Sequence, residues 1–141
     1  MLKESGKNGE NGNNESGLLL DSDIFIDVLR GFRPARDFVQ NLIKSEQNVF
    51  FSAITETELL AGSECDDAKK KDNALHLLFP FKKIIVENRI AQMAGDIRRT
   101  YSLQVPDAII AASALLTQST LISRNAKDFE KVKELKMMQP Y

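Results

Sequence analysis

Short, unbroken apolar runs alternating with longer stretches of helical period organise residues 18–141. Leu18-Leu19-Leu20, residues 48–54, Ile84-Ile85-Val86 and residues 120–123 are runs rich in apolar, β-branched or aromatic residues. They lack the apolar/polar alternation of a strand with one wet face, so they predict strands buried on both sides. Between them, residues 34–44, 55–61, 67–79, 88–101 and 105–117 read as helices, with apolar residues on one side of 34–44 and 88–101, at the end of 67–79 and on most faces of 105–117. Pro34 opens the first of these stretches, Gly62 stops the second and Pro80 closes the third. Strands that must be covered twice, with helices between them, predict an α/β domain on a mostly parallel sheet.

The rest of the composition narrows that reading. A chain of 141 residues holds one ordinary domain, and 43% hydrophobic with 28% charged residues is a globular mixture. Lys+Arg number 19 against 20 Asp+Glu, a net charge of −1, which excludes a body held on nucleic acid by bulk charge alone. Cys65 is the single cysteine and His76 the single histidine, so neither an internal disulfide nor a zinc site built on those ligands is available. Any metal must be held by oxygen. Cys65, between Glu64 and Asp66, is expected to be inert, because acidic neighbours disfavour a thiolate. His76, within Leu75-His76-Leu77-Leu78, reads as a partly buried structural histidine.

Residues 1–17 hold four of the chain's seven glycines among Asn, Ser and Glu, and are expected to form a disordered leader before a domain over 18–141. The stretch lacks the basic start and apolar centre of a secretory signal, so the glycosylation-like triplet Asn14-Glu15-Ser16 reads as a chance match. No apolar run approaches membrane-spanning length. Without disulfides or an export segment, the cytoplasm is the expected compartment.

In open α/β sheets, sites form beyond the carboxyl ends of the strands. Asp21 directly follows the first strand, with Asp23 and Asp27 close behind. Glu56 and Glu58 begin the helix after the second strand, Asp107 opens a later helix, and Asp128 follows the fourth strand. Taken singly, each has a structural explanation: a helix-start acid for Asp107, a solvated helix residue for Glu58, a cap for Asp128. Jointly they do not. Two carboxylates about 4 Å apart repel by roughly 4 kcal/mol at an effective dielectric of about 20. A crevice that collects several acids therefore calls for a cation, and hard divalent ions suit oxygen ligands.

Four segments, in order, carry a resemblance. The run from Leu18 to Gly31 that includes Asp21-Ser22-Asp23 resembles the start of the PIN-domain toxins of the VapC type. Ile54-Thr55-Glu56-Thr57-Glu58-Leu59-Leu60-Ala61-Gly62 is similar to their second motif, in which an acid stands four residues before a glycine, and this selects Glu58 over Glu56. Pro106-Asp107-Ala108-Ile109-Ile110-Ala111-Ala112 resembles the third, and Ile122-Ser123-Arg124-Asn125-Ala126-Lys127-Asp128-Phe129 the last. The resemblance implies a PIN-like three-layer fold with a central, mostly parallel sheet of four to five strands flanked by helices. It implies a Mg²⁺-dependent endoribonuclease (Mn²⁺ being the other candidate ion), the toxin of a toxin–antitoxin pair.

On that resemblance Asp21, Glu58, Asp107 and Asp128 are the catalytic acids, Asp21 and Asp107 bind the metal directly, and Ser22 and Asn125 orient the pocket. Asp23 stands where the family commonly has Asn, which adds a negative charge beside Asp21. The implied partners are an RNA substrate (tRNA, rRNA or mRNA, single-stranded or looped), a cognate antitoxin and a second copy of the chain. Arg30 and Arg124 are candidate RNA contacts, with Arg33, Arg36, Arg98, Arg99 and Lys127 nearby in sequence. Phe32, Phe38 and Leu42 could line an antitoxin groove, although core burial is the simpler role.

Two other readings compete. Asp21-Ser22-Asp23 after a strand also resembles the nucleophile motif of haloacid-dehalogenase-like phosphatases, with Gly95-Asp96 the nearest candidate for their later acid motif. A non-catalytic interaction module on the PIN-like fold is the other.

Overall fold

The computed structural model describes residues 17–141. The expected leader and the Asn14-Glu15-Ser16 triplet lie outside the described residues, apart from Gly17. That glycine is buried at the base of the sheet, where its carbonyl accepts from Thr120 N–H at 3.0 Å. A Cβ there would stand 2.6 Å from the Asn48 carbonyl, so only glycine fits between these chains.

Among the described residues, five strands form one sheet in the order β3-β2-β1-β4-β5: β1 (Leu18–Leu20), β2 (Val49–Ser52), β3 (Lys82–Ile84), β4 (Thr120–Ile122) and β5 (Met137–Met138). Every neighbouring pair is parallel, with Leu20 opposite Phe51 on one side and Ile122 on the other. The helices are α1 (Ser22–Leu29), α2 (Arg33–Lys44), α3 (Ala53–Leu60), α4 (Ala68–Leu78), α5 (Asn88–Tyr101), α6 (Val105–Thr117) and α7 (Ala126–Phe129), with a 3-10 turn at Ser63–Asp66.

Because side chains alternate across a strand, consecutive leucines serve opposite layers. Leu19 and Leu121 join one core with Ile90, Ala94 and Ile97 of α5 and the alanines of α6. Leu20 and Ile122 join the other, with Ile24, Phe25, Val39, Leu59 and Leu78 of α1 to α4. Phe25 meets Phe51 and Phe81 edge-on at centroid distances of 6.2 and 5.9 Å. The three layers expected from the doubly apolar strands are thus present.

Several boundaries differ from the sequence reading. β2 ends at Ser52, because its hydroxyl accepts from Ile54 N–H (3.1 Å) and starts α3 at Ala53. β3 lies at Lys82–Ile84 rather than 84–86: pairing with Phe50–Ser52 sets the register, and Ile85 and Val86 are exposed. Two lysines on this edge strand guard its open side, and Lys83 pairs with Glu56 at 3.0 Å. Helix α1 and strand β5 were not expected from the sequence. After α1, Gly31 turns the chain at φ +83°, and α2 starts with Pro34 in its first turn.

Candidate active site

The strand order runs from β1 outward to β2 and β3, then returns past β1 to β4 and β5. The direction of winding therefore reverses between β1 and β4, and a crevice opens beyond their carboxyl ends. Asp21 ends β1 and Ser123 ends β4, one residue beyond the Leu20–Ile122 pair.

Asp21 is 6% exposed and serves as the N-cap of α1. Its Oδ1 accepts from Ser22 N–H at 2.8 Å, and its Oδ2 accepts from Ser123 Oγ at 2.7 Å. Those two neutral donors do not offset its surroundings. Burial, reinforced by the charges of Asp23 and Asp107, pushes its pKa up to about 7.

Two residues on, Asp23 is half-buried. Its Oδ2 accepts from the Arg124 backbone N–H at 3.0 Å, while its Oδ1 is buried without a partner. Its carboxyl is also raised, by burial first, with the Arg124 N–H and guanidinium opposing and Asp27 adding to the shift.

Asp107 enters from the first turn of α6. Burial raises its pKa, and the negative charges of Asp128, Glu58 and Asp23 raise it further. Asp21, Asp23, Glu58, Asp107 and Asp128, spread over more than a hundred residues, thus occupy one electrostatic neighbourhood.

Supporting hydroxyls and an amide fix the outer acids. Ser22 Oγ donates to Glu58 Oε1 and shares a 2.8 Å hydrogen bond with Thr55 Oγ1. Asn125 Nδ2 donates to Asp128 Oδ2 at 3.2 Å, and Asn125 N–H donates to Ser123 Oγ at 2.9 Å. Ser123 and Thr55, both fully buried, had no role in the sequence reading. Ser123 ends an apolar strand as Asp21 does, and that position was the available signal.

Asp27 sits one turn further along α1 and is a different kind of acid. Arg124 Nε and Nη2 donate to its two oxygens at 2.6 and 3.2 Å, and the Tyr141 hydroxyl donates at 2.6 Å. Burial and the Asp27 hydrogen bond hold the Tyr141 phenol well above its ordinary range. Together with Arg30, Gly31, Phe32 and Pro34 these residues line a groove of about 650 Å³. Arg30 is exposed there, whereas the Arg124 guanidinium is committed on one edge to Asp27 and its side chain is 46% exposed.

Other candidates fall elsewhere. Arg98 donates to the Leu103 carbonyl at 2.5 Å, and Arg99 pairs with Asp96 at 2.8 Å. Asp96 is therefore an exposed helix residue, not a strand-end acid, which removes the later motif that the phosphatase reading needs. His76 is exposed rather than partly buried, because α4 turns it outward, where Nδ1 meets the Asp72 carbonyl at 2.8 Å. Leu42 is buried in the core, while Phe38 is half-buried and Phe32 exposed.

The donor chemistry fits a hard divalent cation. All side-chain donors are oxygen, three carboxyls are held above their ordinary range by burial and like charge, and one Asp23 oxygen is buried with nothing to bind. Among the described residues, no three or more His, Cys, Asp or Glu side chains are grouped so as to hold a metal ion by themselves. The arrangement suits an ion such as Mg²⁺, which binds through one or two carboxylates and keeps water and phosphate in its remaining positions.

An acid-lined crevice at the switch point of an all-parallel, three-layer sheet defines a class of α/β protein. The PIN domain pattern matches residues 18–135, and the chain belongs to the PIN-domain family. It is 29% identical over 124 residues to the ribonuclease VapC10 of Mycobacterium tuberculosis, covering 84% of this chain and 90% of that one. A toxin–antitoxin complex from Klebsiella pneumoniae superposes with a TM-score of 0.73 at 32% identity, covering 89% of this chain and 98% of that chain. VapBC2 from Rickettsia felis, solved bound to a promoter DNA fragment, has the same fold at a TM-score of 0.73 and 19% identity, over 86% of this chain and 97% of that chain. The resemblance to VapC-type toxins read from the four motifs therefore holds across the domain. No helix among the described residues is long and apolar enough to cross a membrane.

Proposed function

We propose that this protein is a divalent-metal-dependent endoribonuclease and the toxin of a toxin–antitoxin pair. One observation carries the reading: Asp21, Asp23 and Asp107 are each held above the usual carboxylate range by burial and by the charge of neighbouring acids, Asp23 acting on both Asp21 and Asp107. A fold that keeps such repulsion without an internal counter-ion for Asp21 or Asp107 is suited to an external one. The similarity to the ribonuclease VapC10 and to the Klebsiella toxin–antitoxin complex supports the substrate class and the antitoxin partner.

In this reading Asp21 and Asp107 hold Mg²⁺ or Mn²⁺, and Glu58 and Asp128 complete the acidic pocket. When bound, the ion supplies activation of a water and neutralisation of the phosphate's charge during in-line displacement. Ser123 and Ser22 N–H aim the two oxygens of Asp21, Ser22 Oγ aims Glu58, and Asn125 aims Asp128. Exposed Arg30, with the free edge of Arg124, offers cations to RNA phosphates beside the pocket. Single-stranded or looped RNA fits, because its backbone can bend toward the acids. A homodimer and a cytoplasmic location belong to the same reading.

The test is cleavage of single-stranded RNA by purified protein in Mg²⁺ or Mn²⁺, beside Asp21→Asn and Asp107→Asn. Metal-dependent cleavage lost in both folded variants supports the mechanism. Cleavage that survives chelation, or is equal in the variants, defeats it. Absence of cleavage in the wild type with every ion favours the non-catalytic module.

A further inference from the structure

Three consecutive residues after β4 each touch a different acid of the pocket. Ser123 Oγ donates to Asp21, Arg124 N–H donates to Asp23, and Asn125 Nδ2 donates to Asp128. Whatever fixes this tripeptide fixes the relative placement of those carboxylates. Its central residue is anchored by its side chain to Asp27, a carboxylate 8% exposed that the proposed chemistry does not use. Asp27 also accepts from Tyr141, whose ring lies against Phe32 and Phe38 at centroid distances of 5.6 and 6.0 Å.

We propose that Asp27 and Tyr141 are positioning residues: acting through Arg124, they set the 123–125 segment and thereby the geometry of the cation site. The consequence for cation binding rests on the nuclease reading above, whereas the effect on the segment does not.

The hydrogen-bond geometry makes this more than a stabilising ion pair. Arg124 is half exposed at its side chain, so solvent screens its end of the pair even though Asp27 is buried. What the pair does supply is direction. The guanidinium fork meets both carboxylate oxygens, which permits one orientation of the Arg124 side chain and so restrains its backbone N–H toward Asp23. Tyr141 occupies a further lone pair on Asp27 Oδ2 and, wedged beside two phenylalanines, limits how far the carboxylate can swing. Outer residues that orient metal-binding carboxylates commonly change metal affinity without touching the metal.

The test compares wild type with Tyr141→Phe, which keeps the aromatic contacts and removes one donor, and Asp27→Asn, which removes the charge. Mn²⁺ affinity is measured by titration on the full chain, with melting temperature and amide hydrogen exchange at Arg124 and Asn125 alongside. The expected result is Mn²⁺ affinity weakened roughly 3-fold in Tyr141→Phe and roughly 10-fold in Asp27→Asn, at temperatures where all three are folded. RNA cleavage should show the loss in kcat more than in KM, and exchange at Arg124 and Asn125 should quicken. A lowered melting temperature with unchanged Mn²⁺ affinity and unchanged exchange would falsify the proposal and leave the pair a simple stabiliser. If the wild type binds no Mn²⁺, the nuclease reading fails on its own. Exchange then still decides: faster exchange in the variants upholds the positioning role, and unchanged exchange overturns it.

Discussion

Asp21 and Asp27 lie within two turns of the same helix and are almost equally buried, yet their surroundings are opposite. Asp27 receives a guanidinium fork and a phenol from its own chain. Asp21 receives one backbone N–H and one hydroxyl, and faces Asp23 and Asp107. The fold therefore provides a cation where a carboxylate is structural and withholds it where carboxylates gather beyond the sheet. Burying an acid without a counter-ion costs stability, and under the proposed function its retention among other acids is what makes this the candidate cation site.

The sharpest way to break this contrast is activity. Asp21→Asn or Asp107→Asn should lower RNA cleavage by about 100-fold or more, as should chelation, while Asp27→Asn lowers it by roughly 10-fold or less. Single-turnover cleavage of a labelled oligonucleotide measures this, and equal losses at all three positions would erase the distinction.

Stability should then separate the two acids by sign. Asp21 binds a proton in the fold up to a pKa of about 7, whereas in the unfolded chain it releases that proton near 3.8. The native state thus holds more protons across this window, and stability falls as pH rises from about 4 to about 7. In metal-free buffer at pH 8, Asp21→Asn should stabilise the protein by ~1–3 kcal/mol, a gain that fades toward pH 4. Asp27→Asn should destabilise it by ~1 kcal/mol under the same conditions. Melting curves across pH check both, and a destabilised Asp21→Asn at pH 8 would contradict the electrostatic account.

A smaller effect is expected on the groove side. Arg30→Ala should weaken RNA binding a few-fold and reduce the salt slope of binding by about one ion. Titration at several salt concentrations reads it, and an unchanged slope removes Arg30 from the RNA footprint. Smallest of all, breaking the half-exposed Lys83–Glu56 pair with Lys83→Ala should shift stability by no more than ~0.5 kcal/mol.

Much of the architecture is legible along the chain. Leu18-Leu19-Leu20 and the segment before Ser123 are apolar on both faces, so they had to be central strands, and their carboxyl ends had to carry Asp21 and the 123–128 motif. Other parts were not legible. Helix α1 has eight residues that are apolar on several faces, because it packs against α2, α3 and α4, and that blurs its period. Strand β5 has two residues, too few for any pattern. In β3 the most apolar residues, Ile85 and Val86, lie beyond the strand, since parallel pairing to β2 and not hydrophobicity sets the register.

The acids divide in the same way. That Asp21, Asp107 and Asp128 stand at the starts of helices or the ends of strands follows from local order, because apolar periodicity and chain breakers are short-range signals. Which of them feel one another's charge, and that Arg124 turns to Asp27 while Asp23 keeps a buried oxygen unpartnered, depends on contacts across about a hundred residues. Electrostatic repulsion and hydrogen bonding act through space within a few ångströms. They acquire a value only once β1 and β4 lie side by side.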